Sequence, residues 1–180
     1  MKFYSIVAKL TALITFFIGT FIFLLFYFFS ESPFLQVGYF YIIFASIINL
    51  IVIIYISIKV RNDASNKNSA YKSYAIMFLN IPSALLYCCF TIIILNTMRI
   101  TFNNTTSSDV TNIIIDGCDK KIINRLDKGE SKTVWIDINN DCSVQIQYLL
   151  NGKQIQGTVI DYTTTLNGHK MIYDISEPSK

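Results

Sequence analysis

Histidine is almost absent from this chain of 180 residues: His169 is the only one. A metal site built on Cys118 and Cys142 would need two more ligands, and the sequence has one imidazole to offer. Cys142 with His169 is formally a thiol–base pair, but nothing in their spacing supports that chemistry. No phosphate loop, paired metal-ligand motif or nucleophile elbow occurs. Charge is missing too from two of three long apolar runs, and the first of them holds only Lys9, near its start. No Asp, Glu or His therefore lies where a proton relay or ion site inside a bilayer would need it. Finally, the short loop Ser30–Pro33 has no basic residue.

What is present divides the chain in two. Apolar runs cover Ile6–Phe29, Phe34–Ile58 and Ser73–Met98 (about 6–29, 34–58 and 73–98). A hydrocarbon core about 30 Å thick needs roughly 20 helical residues, so each run is long enough to span it. The expectation is a three-transmembrane-helix antiparallel bundle over 1–100. Ser30-Glu31-Ser32 has the small-x-small look of a signal cleavage site. The first run, however, exceeds the roughly 7–15 residues of a signal h-region, and Pro33 would follow the cut, so it reads as a retained helix.

The second loop carries Lys59, Arg61, Lys67 and Lys72, and the N-terminus Lys2 and Lys9, with Arg99 alone on the other side. The positive-inside rule then places the N-terminus in the cytoplasm and the tail outside, in a cell (inner) membrane. Tyr27, Tyr39 and Tyr41 are the expected outer aromatic belt, and Tyr4, Tyr55, Tyr71 and Tyr74 the inner one. Small and polar residues recur every three or four positions: Ala8, Ala12, Thr15 and Gly19; Gly38, Ala45 and Asn49; Asn80, Ala84, Tyr87 and Thr91. Such stripes let helices approach closely. Asn49 and Asn80 fall at similar depth, and the expectation is that their amides face one another; a polar path for a solute is the alternative. Pro82 is expected to kink the third helix, and Cys88 and Cys89 to pack within the membrane.

Residues 101–109 read as a polar linker, with overlapping sequons at Asn103 and Asn104 that would matter only in a eukaryotic secretory pathway. From 110 to 176 the apolar period becomes two. Expected strands are Ile113–Asp116, Ile122–Leu126, the Val134/Ile136/Ile138 alternation, Val144–Leu150, Lys153–Tyr162 and Lys170–Ile175. Asn151-Gly152 signals a hairpin and Asn167-Gly168 a second turn; Gly157 marks a bulge. The expected fold is a small all-β antiparallel sandwich or barrel outside the cytoplasm. So small a domain is marginal on apolar burial alone. A disulfide between Cys118 and Cys142 would add about 3–4 kcal/mol by the chain-entropy argument.

The segments GCDKK, LDKGESKTVWI and DCSVQIQY, followed by an NG turn, resemble uncharacterised small bacterial membrane proteins, often of Bacteroidetes type. Those have N-terminal transmembrane helices and a C-terminal Ig-like β-domain. The resemblance covers roughly Asn112–Ile175. It implies that Gly129 turns the chain and that Val134 and Ile136 enter the core; no activity comes with it. Charge is basic in the helical part and mildly acidic in the tail, so a nucleic-acid partner is not indicated.

Three functions compete. The first is a non-enzymatic envelope protein-interaction module, immunity-type or a subunit of a larger membrane complex, with membrane lipid and a protein partner or its own copies as contacts, and no cofactor or small-molecule substrate. The second is an oligomeric transport or channel component lined by Asn49, Asn80, Tyr87 and Thr91. The third is an enzyme pairing carboxylates from Asp116, Asp119, Asp137, Asp141 and Asp161.

Overall fold

The computed structural model describes residues 3–61 and 67–177, and the chain divides into two compact units, Met1–Thr91 and Ile92–Lys180. Lys2 and the side chain of Lys67, on which part of the charge asymmetry rests, lie outside the described residues, as do residues 62–66.

In the first unit α1 runs Phe3–Phe29 and α2 Ser32–Arg61. The chain reverses at Ser30, whose φ of 56° is left-handed and whose N–H donates to the Phe26 carbonyl at 2.8 Å. Pro33 follows in the first turn of α2, where its missing N–H removes no helical bond. The third run is interrupted: α3 is Lys67–Phe78 and α4 Asn80–Leu95. Pro82 explains the break, since it has no N–H for the Phe78 carbonyl and its ring crowds that oxygen. The expected kink is thus a break one turn before the proline. Among the described residues three segments, Tyr4–Phe29, Ser32–Arg61 and Ala70–Leu95, are long and apolar enough to cross a membrane.

The small residues lie where these helices meet. Ala8 and Ala12 of α1 are buried together with Ile56 of α2 and Ala70 and Met77 of α3. Gly19 faces the Tyr41 ring, and Gly38 faces Ile22. Large side chains point the other way: Phe17, Phe40 and Phe44 are 64%, 66% and 60% exposed.

The second unit begins inside α4 and contains β1 (Thr97–Asn104), β2 (Val110–Asp116), β3 (Lys121–Leu126), β4 (Ser131–Asp137), β5 (Cys142–Leu150), β6 (Lys153–Thr163) and β7 (Lys170–Ile175). They form a three-stranded sheet, β4-β1-β7, and a four-stranded sheet, β3-β2-β5-β6. One core lies between the sheets. Met98, Ile100, Phe102 and Ile136 of the first meet Ile113, Ile115, Val144 and Ile146 of the second.

Two expectations fail here. The helix does not continue to Met98, and 101–109 is not a linker: β1 occupies Thr97–Asn104 and leaves only a short turn. Met98, Ile100 and Phe102 already alternate with Arg99 and Thr101, but Met98 and Ile100 also extend the helical apolar run, which conceals the change of period. Nor is the domain wholly antiparallel. β1 pairs with β7 in parallel, Arg99 beside Lys170 through Asn104 beside Ile175. The bulge expected at Gly157 falls just beyond it, where Gln145 pairs with Thr158 but Val144 with Ile160. Gly129 turns the chain at φ 77°, and Asn151-Gly152 make the hairpin at φ 52° and 76°.

Candidate functional site

The polar side chains of the helical unit are engaged differently from the expectation. Asn80 Nδ2 donates to the Ala12 carbonyl at 3.1 Å and to Thr15 Oγ1 at 2.8 Å, both on α1. Asn49 Nδ2 donates to the Ala45 carbonyl of its own helix, and its buried Oδ1 has no hydrogen-bond partner among the described residues. Asn49 and Asn80 are therefore not bonded to each other. Spacing fixes a residue's depth and helix face, but α1 also lies against α3, and the Thr15 face accepts the Asn80 amide. Further bonds join helices, among them that between the Ser57 and Tyr74 hydroxyls, 2.8 Å apart. Tyr87 and Thr20 hydroxyls lie 2.7 Å apart, with the Tyr87 ring stacked on Phe23. Tyr41 donates to the Thr15 carbonyl at 2.7 Å, so it points between helices rather than into an aromatic belt. Tyr39 and Tyr71 are largely exposed, as belt residues would be.

In the β-unit the Cys118 and Cys142 sulfurs stand at bonding distance, 2.06 Å, with Cα atoms 5.2 Å apart, inside the range a bridge needs. Cys88 and Cys89 are exposed on α4. Gly117 precedes the bridge at φ 125°, where a Cβ would collide with the Ser143 carbonyl oxygen, so the chain can pass so close only as glycine.

Asn96, which no motif singled out, joins α4 to the sheets. Its Nδ2 donates to the Ile92 carbonyl at 2.8 Å, its carbonyl accepts from Ile138 N–H at 2.8 Å, and its Oδ1 accepts from Leu166 N–H at 3.1 Å. Thr97 Oγ1 donates to the Ile93 carbonyl and Gly168 N–H to the Leu95 carbonyl. The last carbonyls of a helix lack partners within it; here Asn96 and Thr97 supply those of Ile92 and Ile93, and Gly168, distant in sequence, that of Leu95. The only hint in the sequence was an amide just before the change of period.

The outer face of the β4-β1-β7 sheet is polar with two exceptions. Thr101 bonds Thr133 at 2.8 Å, and Asn103 bonds Asp174 at 2.9 Å. Arg99 lies over the Trp135 ring, 5.5 Å from its centroid. Trp135 and Ile172 remain 42% and 63% exposed on this face. Asn104, by contrast, is buried, and its amide bonds Ser108, Leu126 and Thr106, which leaves no access to that sequon.

Of the carboxylates considered for acid–base work, Asp116, Asp119 and Asp141 are engaged in hydrogen bonds, and Asp119 and Asp137 both lie near Lys121. Asp119 holds Lys121 at 2.7 Å, and this bond lowers its pKa and raises that of the lysine. Asp141 accepts from Thr164 at 2.6 Å and Tyr162 at 2.8 Å, which lowers its pKa and raises that of the phenol. Asp116 accepts the N–H of Gly117. Arg125 bridges Asp127 and Asp109. Among the described residues, no three His, Cys, Asp or Glu side chains are grouped to hold a metal ion.

No protein-family model matches this chain, and no curated protein matches it. Among solved structures it is similar to the NMR structure of a protein from Eubacterium rectale, at 18% identity over 47% of this chain and 81% of that one. The TM-score of 0.38 is too low for that likeness to carry an argument.

Proposed function

We propose that this is a multi-pass membrane protein of a bacterial envelope whose β-unit lies outside the cytoplasm and binds a protein partner without catalysing a reaction. An immunity-type role, or a place in a larger membrane complex, fits that reading. The membrane part is supported by three apolar spans whose Phe, Ile and Leu side chains face outward. In water such a surface would aggregate. The orientation is supported by Lys59 and Arg61 at the end of α2 and Lys72 in α3, against a first loop with no basic residue.

The observation that carries the binding role is the outer face of the β4-β1-β7 sheet. Trp135 and Ile172 lie exposed among Thr101, Thr133 and Asn103, an arrangement of apolar anchors in a polar surround that suits a protein interface. The transport alternative loses support because Asn80 and Tyr87, which would line its path, are bonded to α1.

Affinity capture from native membranes tests the role, comparing the unaltered chain with a Trp135→Ala/Ile172→Ser variant. A partner should be recovered with the first and lost with the second while the melting temperature holds. Identical recoveries would remove this face from the account.

A further inference from the structure

The segment Thr164–His169 joins β6 to β7 and does not project freely. It closes over the last turn of α4. Gly168 N–H donates to the Leu95 carbonyl at 2.6 Å, and Leu166 N–H to Asn96 Oδ1 at 3.1 Å. Asn167 N–H donates to the Thr164 carbonyl at 3.2 Å, and the His169 carbonyl accepts from Arg99 N–H at 2.9 Å. A Cβ on Gly168 would meet the carbonyl oxygens of Thr97, Ile94 and Leu95 at 2.6–2.7 Å, so the loop is seated as tightly as backbone allows.

At its centre stands a residue the fold does not call for. Leu166 has φ 62°, in the left-handed region that glycine and asparagine occupy most easily. Its side chain is 60% exposed and belongs to no core cluster. The bonds of the loop hold the strained backbone, but an apolar side chain in solvent is unfavourable, and Leu166 joins no buried cluster of the domain that would offset it.

The surroundings of the loop identify what would. Ile92 and Ile93, in the final turn of α4, are 55% and 54% exposed and need an apolar medium. At 1.5 Å per residue, Ile93 lies only about 4.5 Å along the axis from Asn96. The polar layer of a bilayer is roughly 5–8 Å deep on each side of the hydrocarbon. A leucine tethered to Asn96 is therefore held at the boundary of headgroups and acyl chains.

We propose that Leu166 inserts into this boundary of the phospholipid bilayer that holds α4, making the loop a lipid contact of the β-unit. The inference rests on the membrane reading above. It assigns no headgroup charge, because the polar neighbours Thr164, Thr165, Asn167 and His169 carry no fixed charge.

The test uses the full chain with Cys88→Ala and Cys89→Ala, the native bridge left oxidised, reconstituted in phosphatidylcholine vesicles. A fluorophore is attached through Leu166→Cys, through Ile93→Cys as lipid reference, or through Ser107→Cys as aqueous reference. Quenchers are carried either at a shallow acyl position or in water. The label at 166 should be quenched from the lipid, like that at 93, and shielded from the aqueous quencher, unlike that at 107. A label at 166 that behaves like 107 while 93 reads lipid overturns the inference and leaves the membrane reading standing. An aqueous signal from 93 removes the membrane reading itself. Shielding at 166 in native membranes, but not in pure lipid vesicles, overturns lipid in favour of a protein occupant. Separately, Leu166→Asn suits the same backbone and should leave the melting temperature in detergent unchanged or higher. A fall would mean that the leucine serves the fold, contrary to the proposal.

Discussion

Isoleucine is mostly exposed in the helical unit and mostly buried in the β-unit. In α2, Ile43, Ile47, Ile51 and Ile54 are exposed. In the β-unit, Ile100, Ile113, Ile136 and Ile146 are completely buried. One residue type cannot be both inside and outside by its own preference, and the membrane reading proposed above assigns the two units different surroundings. The β-unit hides its apolar side chains between two sheets, as a chain in water must. The helical unit buries Ala8, Ala12 and Ala70 with Ile56 and Met77 and turns most of its large side chains outward, the arrangement expected of helices in lipid.

The widest separation between the units should come from a matched pair of truncations. Phe102 is fully buried and packs edge-on against Tyr173, whereas Phe44 is exposed. Phe102→Ala should cost about 3–5 kcal/mol, and Phe44→Ala within about 0.5 kcal/mol. Trp135 in β4, the single tryptophan, reports the β-unit by fluorescence, and far-ultraviolet circular dichroism reports the helices. Equal losses would erase the contrast.

Next in size is the bridge. Reduction should lower β-unit stability by about 2–5 kcal/mol and leave the helical signal unchanged. Alkylation before and after reduction should differ by the two thiols of Cys118 and Cys142. Both thiols free in protein from its own membrane would contradict the placement outside the cytoplasm.

A smaller effect belongs to the helices alone. Asn80→Leu and Thr15→Val should show coupling of about 0.6–2 kcal/mol in a double-mutant cycle, since these side chains bond at 2.8 Å. Asn49→Leu should be additive with Asn80→Leu. Coupling between the two asparagines would restore the pairing that their spacing suggests.

How far the fold could be read from the sequence follows the same division. The three runs were legible because a bilayer demands a minimum apolar length, and α1 and α2 match them closely. The strands from β2 to β7 were legible from period-two alternation, as at Val144, Ile146 and Tyr148. β1 was not, because Met98 and Ile100 serve equally as the end of an apolar helix and the start of an alternating strand. The parallel pairing of β1 with β7 leaves no local trace either: periodicity tells which face is buried, not which strand lies alongside. The same limit applies to Asn80, whose partners depended on helix packing, and to Asn96, whose partners come from three different segments.

The smallest expected effect is the response to acid. The bond to Lys121 lowers the pKa of Asp119, those to Thr164 and Tyr162 lower that of Asp141, and that to Ser107 lowers that of Glu177. A lowered folded value contributes stability that is fully present above the unfolded carboxylate range, about pH 4, and is lost as pH falls through the folded value. The β-unit melting temperature should thus hold from neutral pH to about 4.5 and decline below. The helical spans, with no carboxylate among Tyr4–Phe29 or Ala70–Leu95, should not follow it.

The central claim is that the helices cross a membrane and leave the β-unit on its outer side. Labelling of intact cells with an impermeant thiol reagent tests it most directly, using Ser107→Cys or Ser65→Cys in a chain carrying Cys88→Ala and Cys89→Ala. The cysteine at 107 should react in intact cells, and the one at 65 only after lysis. Reaction at 65 with protection at 107 would invert the topology, and reaction of both in a soluble fraction would remove the membrane altogether.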